Sequence, residues 1–100
     1  QQHPEQVLHR AARRLLTSGN EAFNAGKFDE ALGAYQQAAK SDPRSLEAVY
    51  NQACAQYRLG KLDEAQSLFR QVDAGLGRPD LSPAARYNLG RAVFDRSVEA

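Results

Sequence analysis

The chain has 100 residues, 42% of them apolar, but 17 of those are alanine and only six residues (five valines and Thr17) are β-branched. Alanine and leucine lead the helix scale while strands favour β-branched and aromatic side chains, so an all-β fold is excluded at the outset. Thirteen basic against twelve acidic residues give a net charge of +1, which is no electrostatic footprint for nucleic acid or an anionic membrane.

Helical patterning begins at Pro4, a residue that suits a first helical turn, and is expected to run to Ala25 with Leu8, Ala11, Leu15 and Ala22 on one stripe. Gly26 stops it. A second helix is expected over about Phe28 to Lys40, with Asp29 and Glu30 at its positive end and Lys40 at its negative end. Its apolar face is Ala31, Leu32, Tyr35, Ala38 and Ala39. Pro43 forces a turn, Ser45 caps a third helix that runs to Leu59, and Gly60 ends it. A fourth, about Leu62 to Ala74, buries Ala65, Leu68, Phe69 and Val72. Gly75 to Asp80 reads as a loop, and Ser82-Pro83 as the cap and first position of a fifth helix carrying Leu89, Val93 and Phe94.

These elements repeat. Gly26-Lys27-Phe28-Asp29-Glu30-Ala31 returns 34 residues later as Gly60-Lys61-Leu62-Asp63-Glu64-Ala65, and Tyr35 returns as Phe69. A second echo links Ala48-Val49-Tyr50-Asn51 to Ala85-Arg86-Tyr87-Asn88 at a shift of 37, the extra residues falling in the loop. Small residues are expected where the helices of a hairpin meet, Gly19 facing Ala31 and Ala53 facing Ala65. Gly90 takes the same place in helix five, where no partner helix is visible.

The pattern resembles the tetratricopeptide repeat family, whose known period is also 34 residues. It is carried by Gly19, Gly26, Ala31, Tyr35, Ala38 and Pro43 in one unit and by Tyr50, Ala53, Gly60, Ala65 and Phe69 in the next. Tyr87-Asn88-Leu89-Gly90 carries it in a third. Departures are Leu15, Val49 and Arg86 at the tryptophan-type position, no closing proline in unit two, and one helix in unit three. The resemblance implies an all-α fold, antiparallel hairpins stacked as a right-handed superhelix of about five helices. A single domain over 1–100 is expected, with repeats over about 12–45 and 46–79 and a partial one over 83–100. Gly19-Asn20-Glu21-Ala22 and Arg86 to Gly90 also resemble repeats of bacterial aerotolerance-operon (Bat-type) proteins, which would place them outside the cytoplasm. The compartment is otherwise open between cytoplasm and periplasm, and a chain opening on Gln1 suggests an excised or processed piece.

The resemblance further implies a concave groove that binds a partner protein or peptide. By matching position its lining is Arg13, Leu16, Asn20, Phe23 and Asn24 from helix one. Helix three adds Tyr50, Asn51, Cys54, Tyr57 and Arg58, and helix five adds Tyr87, Asn88 and Arg91. Family members that clamp a terminal carboxylate pair two asparagines with three basic residues. Here Asn20 and Asn51 match, but the basic places hold Leu16, Ala84 and Asn88, so that clamp is rejected.

The alternative is an oligomerisation module, self-associating through Leu89 and Val93 on the open third repeat. No enzyme is expected. Asp29-Glu30 and Asp63-Glu64 are explained by the helix dipole, His3 and His9 have no nucleophile beside them, and Cys54 reads as a semi-buried thiol. No cofactor, metal or nucleic-acid role is expected, and no apolar run approaches the ~20 residues of a membrane span.

Overall fold

A computed structural model describes residues 4–75 and 78–99. Its five α-helices are α1 (Pro4–Asn24), α2 (Phe28–Ser41), α3 (Leu46–Arg58), α4 (Leu62–Ala74) and α5 (Ser82–Glu99). Leu76 and Gly77, in the expected loop, lie outside the described residues, as do 1–3 and Ala100.

The two hairpin turns are built alike, and glycine is the reason. Gly26 and Gly60 adopt φ of 79° and 80°, the left-handed region open to glycine at little cost. With it, the glycine's own amide and the next one turn back on the helix. Gly26 N–H donates to Phe23 O at 3.0 Å and Lys27 N–H to Ala22 O at 2.8 Å. One repeat on, Gly60 donates to Tyr57 O at 3.0 Å and Lys61 to Gln56 O at 2.9 Å. Both are Schellman closures. Lys27 and Lys61 then cap the following helices, their carbonyls accepting from Ala31 and Ala65. A short Gly-Lys link therefore ends one helix and begins the next.

The other turns use side chains. Asp42 Oδ1 accepts from Arg44 N–H at 3.3 Å, and the Ser45 hydroxyl caps α3 by accepting from Ala48 N–H at 3.1 Å. At α5 the cap differs from the sequence expectation. The first intrahelical bond runs from Ala85 N–H to Leu81 O, so Leu81 stands at the cap and Ser82 inside the helix. The Ser82 hydroxyl instead donates to Asp73 of α4. Asp73 also accepts from Arg86 at 2.7 Å, which pins α5 to α4.

Each helix packs on its neighbours in sequence, and α5 also touches α3. The assembly is only 17 Å deep in its thinnest direction, about the depth of two helix layers. Two core clusters alternate along it. Ala12, Leu16, Ala31, Leu32, Tyr35 and Ala38 of the first hairpin meet Ala48 and Ala55 of α3. Val49 and Ala53 meet Ala65, Phe69 and Val72 of α4 and Ala85 of α5. Fully buried alanines at nearly every crossing let the helices approach closely.

The atoms nearest to a Cβ on Gly19 belong to the ring of Tyr35, one turn beyond Ala31. Two packing expectations are corrected. Leu8 is 50% exposed: α1 is seven residues longer than α2, and Leu8 lines a cavity with Ser41 at the very end of α2. Leu89 is partly buried against the second core, which leaves Gly90 and Val93 exposed beside it on α5.

Candidate functional site

Helices α1, α3 and α5 present one continuous face. A cavity of about 250 Å³ opens on it, lined by Phe23 of α1, Cys54, Tyr57 and Arg58 of α3, Phe69 of α4, and Tyr87, Asn88 and Arg91 of α5. Spacings of three and four along α3 and α5 put these side chains on one side of each helix. Phe69, fully buried, is the floor. Tyr50 stands beside it edge-to-face, ring centroids 5.8 Å apart, and its hydroxyl accepts from the Asn88 side-chain amide at 2.9 Å. A second cavity of about 330 Å³ shares Tyr57 and Arg58 and continues past Gly60 and Leu62 to Phe94, Asp95 and Val98. The Tyr57 hydroxyl donates to the Asp95 carboxylate between the two cavities.

One end of the face is braced by a cation. The Arg58 guanidinium lies 4.6 Å from the ring centroid of Phe28 and 5.6 Å from that of Phe23. The two rings meet edge-on at 5.0 Å. Cation–π contacts of this kind contribute ~0.5–1 kcal/mol each where exposed, and here they hold the guanidinium at the cavity rim. Inside, burial pushes the Cys54 thiol up from its ordinary value, and burial with the neighbouring thiol pushes the Tyr50 hydroxyl up to about 12. The interior is therefore neutral at physiological pH, and its charge sits at the rim.

A tetratricopeptide repeat family model matches residues 16–79 and, in a second register, residues 52–97. The chain belongs to the tetratricopeptide repeat family. The two matches overlap on α3 and α4, which serve as second unit in one register and first in the other. Human RNA polymerase II-associated protein 3 is 31% identical over 86 residues, which is 86% of this chain and 13% of that protein. The chain thus spans about an eighth of the length of the curated relative it matches.

Within the tetratricopeptide face, Phe23, Cys54, Tyr57, Arg58, Tyr87, Asn88 and Arg91 converge on the first cavity. Leu16 is a correction: it is 2% exposed and packs in the first core, where an apolar side chain at that place is drawn into the hairpin. Arg13 is engaged by Glu47 at 2.6 Å, an ion pair between residues one repeat period apart. Asn20 spends its side-chain oxygen on the Tyr35 hydroxyl, at 2.6 Å. Asn24 is exposed and Asn51 half-buried, both outside the cavity lining. Tyr50 supports the floor from behind.

Phe69, a core position by its spacing, also floors the cavity. Phe28 joins the site without a sequence signal, its stacking on Arg58 crossing from the start of α2 to the end of α3. No periodic signal marks that pair, because Leu62 takes the place of Phe28 in the next repeat. Among the described residues no group of three His, Cys, Asp or Glu could hold a metal ion, and no helix is long and apolar enough to cross a membrane.

Proposed function

We propose that this chain is a non-catalytic interaction module whose α1–α3–α5 face binds a segment of a partner protein. Tetratricopeptide repeats generally mediate protein–protein interaction, and the polymerase association in the human relative's name accords with that. The observation that carries the reading is the cavity between Phe23, Tyr57, Phe69 and Tyr87, apolar within and rimmed by Asn88, Arg58 and Arg91. Aromatic and arginine side chains around a desolvated pocket are the usual composition of a binding hot spot. Sites enclosing small-molecule ligands run to ~300–1,000 Å³, so 250 Å³ suits a single side chain of a peptide better than a cofactor.

Selection from a random peptide library against the immobilised chain tests the reading. Selected peptides should lose at least about tenfold in affinity against Tyr87→Ala, an exposed residue whose removal leaves the core intact. Peptides indifferent to Tyr87→Ala and to Arg58→Ala would place binding elsewhere.

A second reading, self-association through the open third repeat, draws on Gly90 and Val93. Among the described residues, nothing outside the surrounding helical backbone lies within 4 Å of where a Cβ on Gly90 would stand, and Val93 is 44% exposed. Light scattering decides it: a strict monomer at high concentration rejects this reading and leaves the first untouched.

A further inference from the structure

We infer that the segment taken by this face carries a side-chain carboxylate next to one aromatic or large aliphatic residue, and that it is an internal stretch of its protein. The inference rests on the peptide-binding reading above and specifies the chemistry of the partner.

The cavity has room for one anchor side chain, and below its polar rim it is lined by Phe23, Tyr57, Phe69 and Tyr87 with the Cys54 thiol. An apolar anchor displaces water there at no polar cost, whereas a charged one would leave water for a neutral interior. The rim supplies the other half. Among the described residues, neither Arg58 nor Arg91 has an acidic partner within 4 Å, while the remaining arginine of this face, Arg13, is neutralised by Glu47. Arg58 is held by the Phe23 and Phe28 rings, so little side-chain freedom is lost when it accepts a ligand. Arg91 enters from the opposite side, on α5.

The charged residues lining the two cavities are Arg58, Arg91 and Asp95. Asp95 already accepts from the Tyr57 hydroxyl and lies one turn from Arg91, so it tempers that arginine without cancelling both cations. The excess is positive, next to an apolar hole, and a carboxylate there makes charge-assisted hydrogen bonds. A chain-terminal carboxylate is a poorer fit. The places that would supply its further cations hold buried Leu16, Ala84 and Asn88, and the Asn88 amide is committed to Tyr50.

Short Gly-Ser peptides, acetylated and amidated to remove terminal charge, carrying one Phe flanked by Asp residues, are the probe. Fluorescence anisotropy should show that Asp→Asn in the peptide weakens binding about tenfold at ~0.1 M salt and less as salt rises. Phe→Ala in the peptide should abolish it. Arg91→Gln should weaken the Asp peptide more than the Asn peptide and so shrink the difference between them, with Arg58 keeping the remainder. Asp95→Asn should tighten the Asp peptide, and Arg91→Glu should favour a Lys peptide over it. Equal affinity for Asp and Asn peptides, or library-selected peptides that bind this face while neither of these does, overturns the inference and leaves the groove reading standing. Failure of any peptide, library-selected ones included, to bind this face overturns the groove reading itself.

Discussion

A methyl group on Gly19 would stand 2.6 Å from Cδ1 of Tyr35, so the ring of α2 fills the space that any larger residue on α1 would need. Tyr35 is 2% exposed and its hydroxyl is tethered to Asn20, so it has no room to swing aside. Gly19→Ala gains helix propensity of ~1 kcal/mol but overpacks this contact at a cost of ~1–3 kcal/mol. A net loss of stability is expected in urea melts. Gly90→Ala, at the same repeat position with open space around it, should instead stabilise by up to ~1 kcal/mol. Equal effects at the two glycines would contradict the hairpin geometry.

Alkaline titration should separate the buried phenols. Burial, with Cys54 nearby, pushes the Tyr35 hydroxyl up to about 12, and Tyr50 likewise. A phenol whose folded pKa exceeds its unfolded value of ~10 contributes stability that is fully present below pH ~10. That contribution is lost as pH rises from ~10 through about 12. Part of the tyrosinate absorbance should therefore appear only in that window, together with loss of helical ellipticity. Tyr35→Phe should remove part of the delayed component. Ionisation of all four tyrosines with a single midpoint near pH ~10, the helices intact, would show that these hydroxyls are not buried.

At the acid side the relevant group is Asp73. The Ser82 hydroxyl first, and then Arg86, hold its carboxyl below the usual carboxylate range. Its contribution is present above the unfolded pKa of ~3.9 and disappears as pH falls through the depressed folded value. The junction of α4 and α5 should loosen there. Wild type and Asp73→Asn should converge in stability at low pH, and a constant difference between them down to pH ~2 would contradict the linkage.

Among the described residues, the buried Gln56 Oε1 has no hydrogen-bond partner. An unsatisfied buried acceptor costs ~1–3 kcal/mol, and Met has a similar length and no such group. Gln56→Met should stabilise by ~1 kcal/mol, read by thermal or urea denaturation. Destabilisation would mean that this amide oxygen is in fact satisfied.

Backbone-driven features were legible in the sequence. Gly26 and Gly60 announce left-handed helix ends, and the alanines at Ala31, Ala53 and Ala65 mark close crossings, because each role admits few residue types. The face was legible where residue chemistry agreed with position, as at Phe23, Tyr57, Tyr87 and Arg91. It was not legible where one residue's chemistry overrode its place. Leu16 stands at a groove position but is apolar and goes inward, and Ser82 spends its hydroxyl on Asp73 in place of capping. Contacts that cross between units without repeating, such as Arg58 on Phe28, leave no periodic trace at all.

The central claim, that the α1–α3–α5 face is where a partner segment sits, is tested most directly by amide chemical-shift mapping of the labelled chain with a library-selected peptide. The expected result is saturable perturbation around Phe23, Tyr57, Arg58, Tyr87 and Arg91, with the polar patch at Gly33, Gln36, Gln37 and Lys40 of α2 unmoved. Perturbation confined to that α2 patch, or to Gly90 and Val93, with the cavity residues silent, would contradict it.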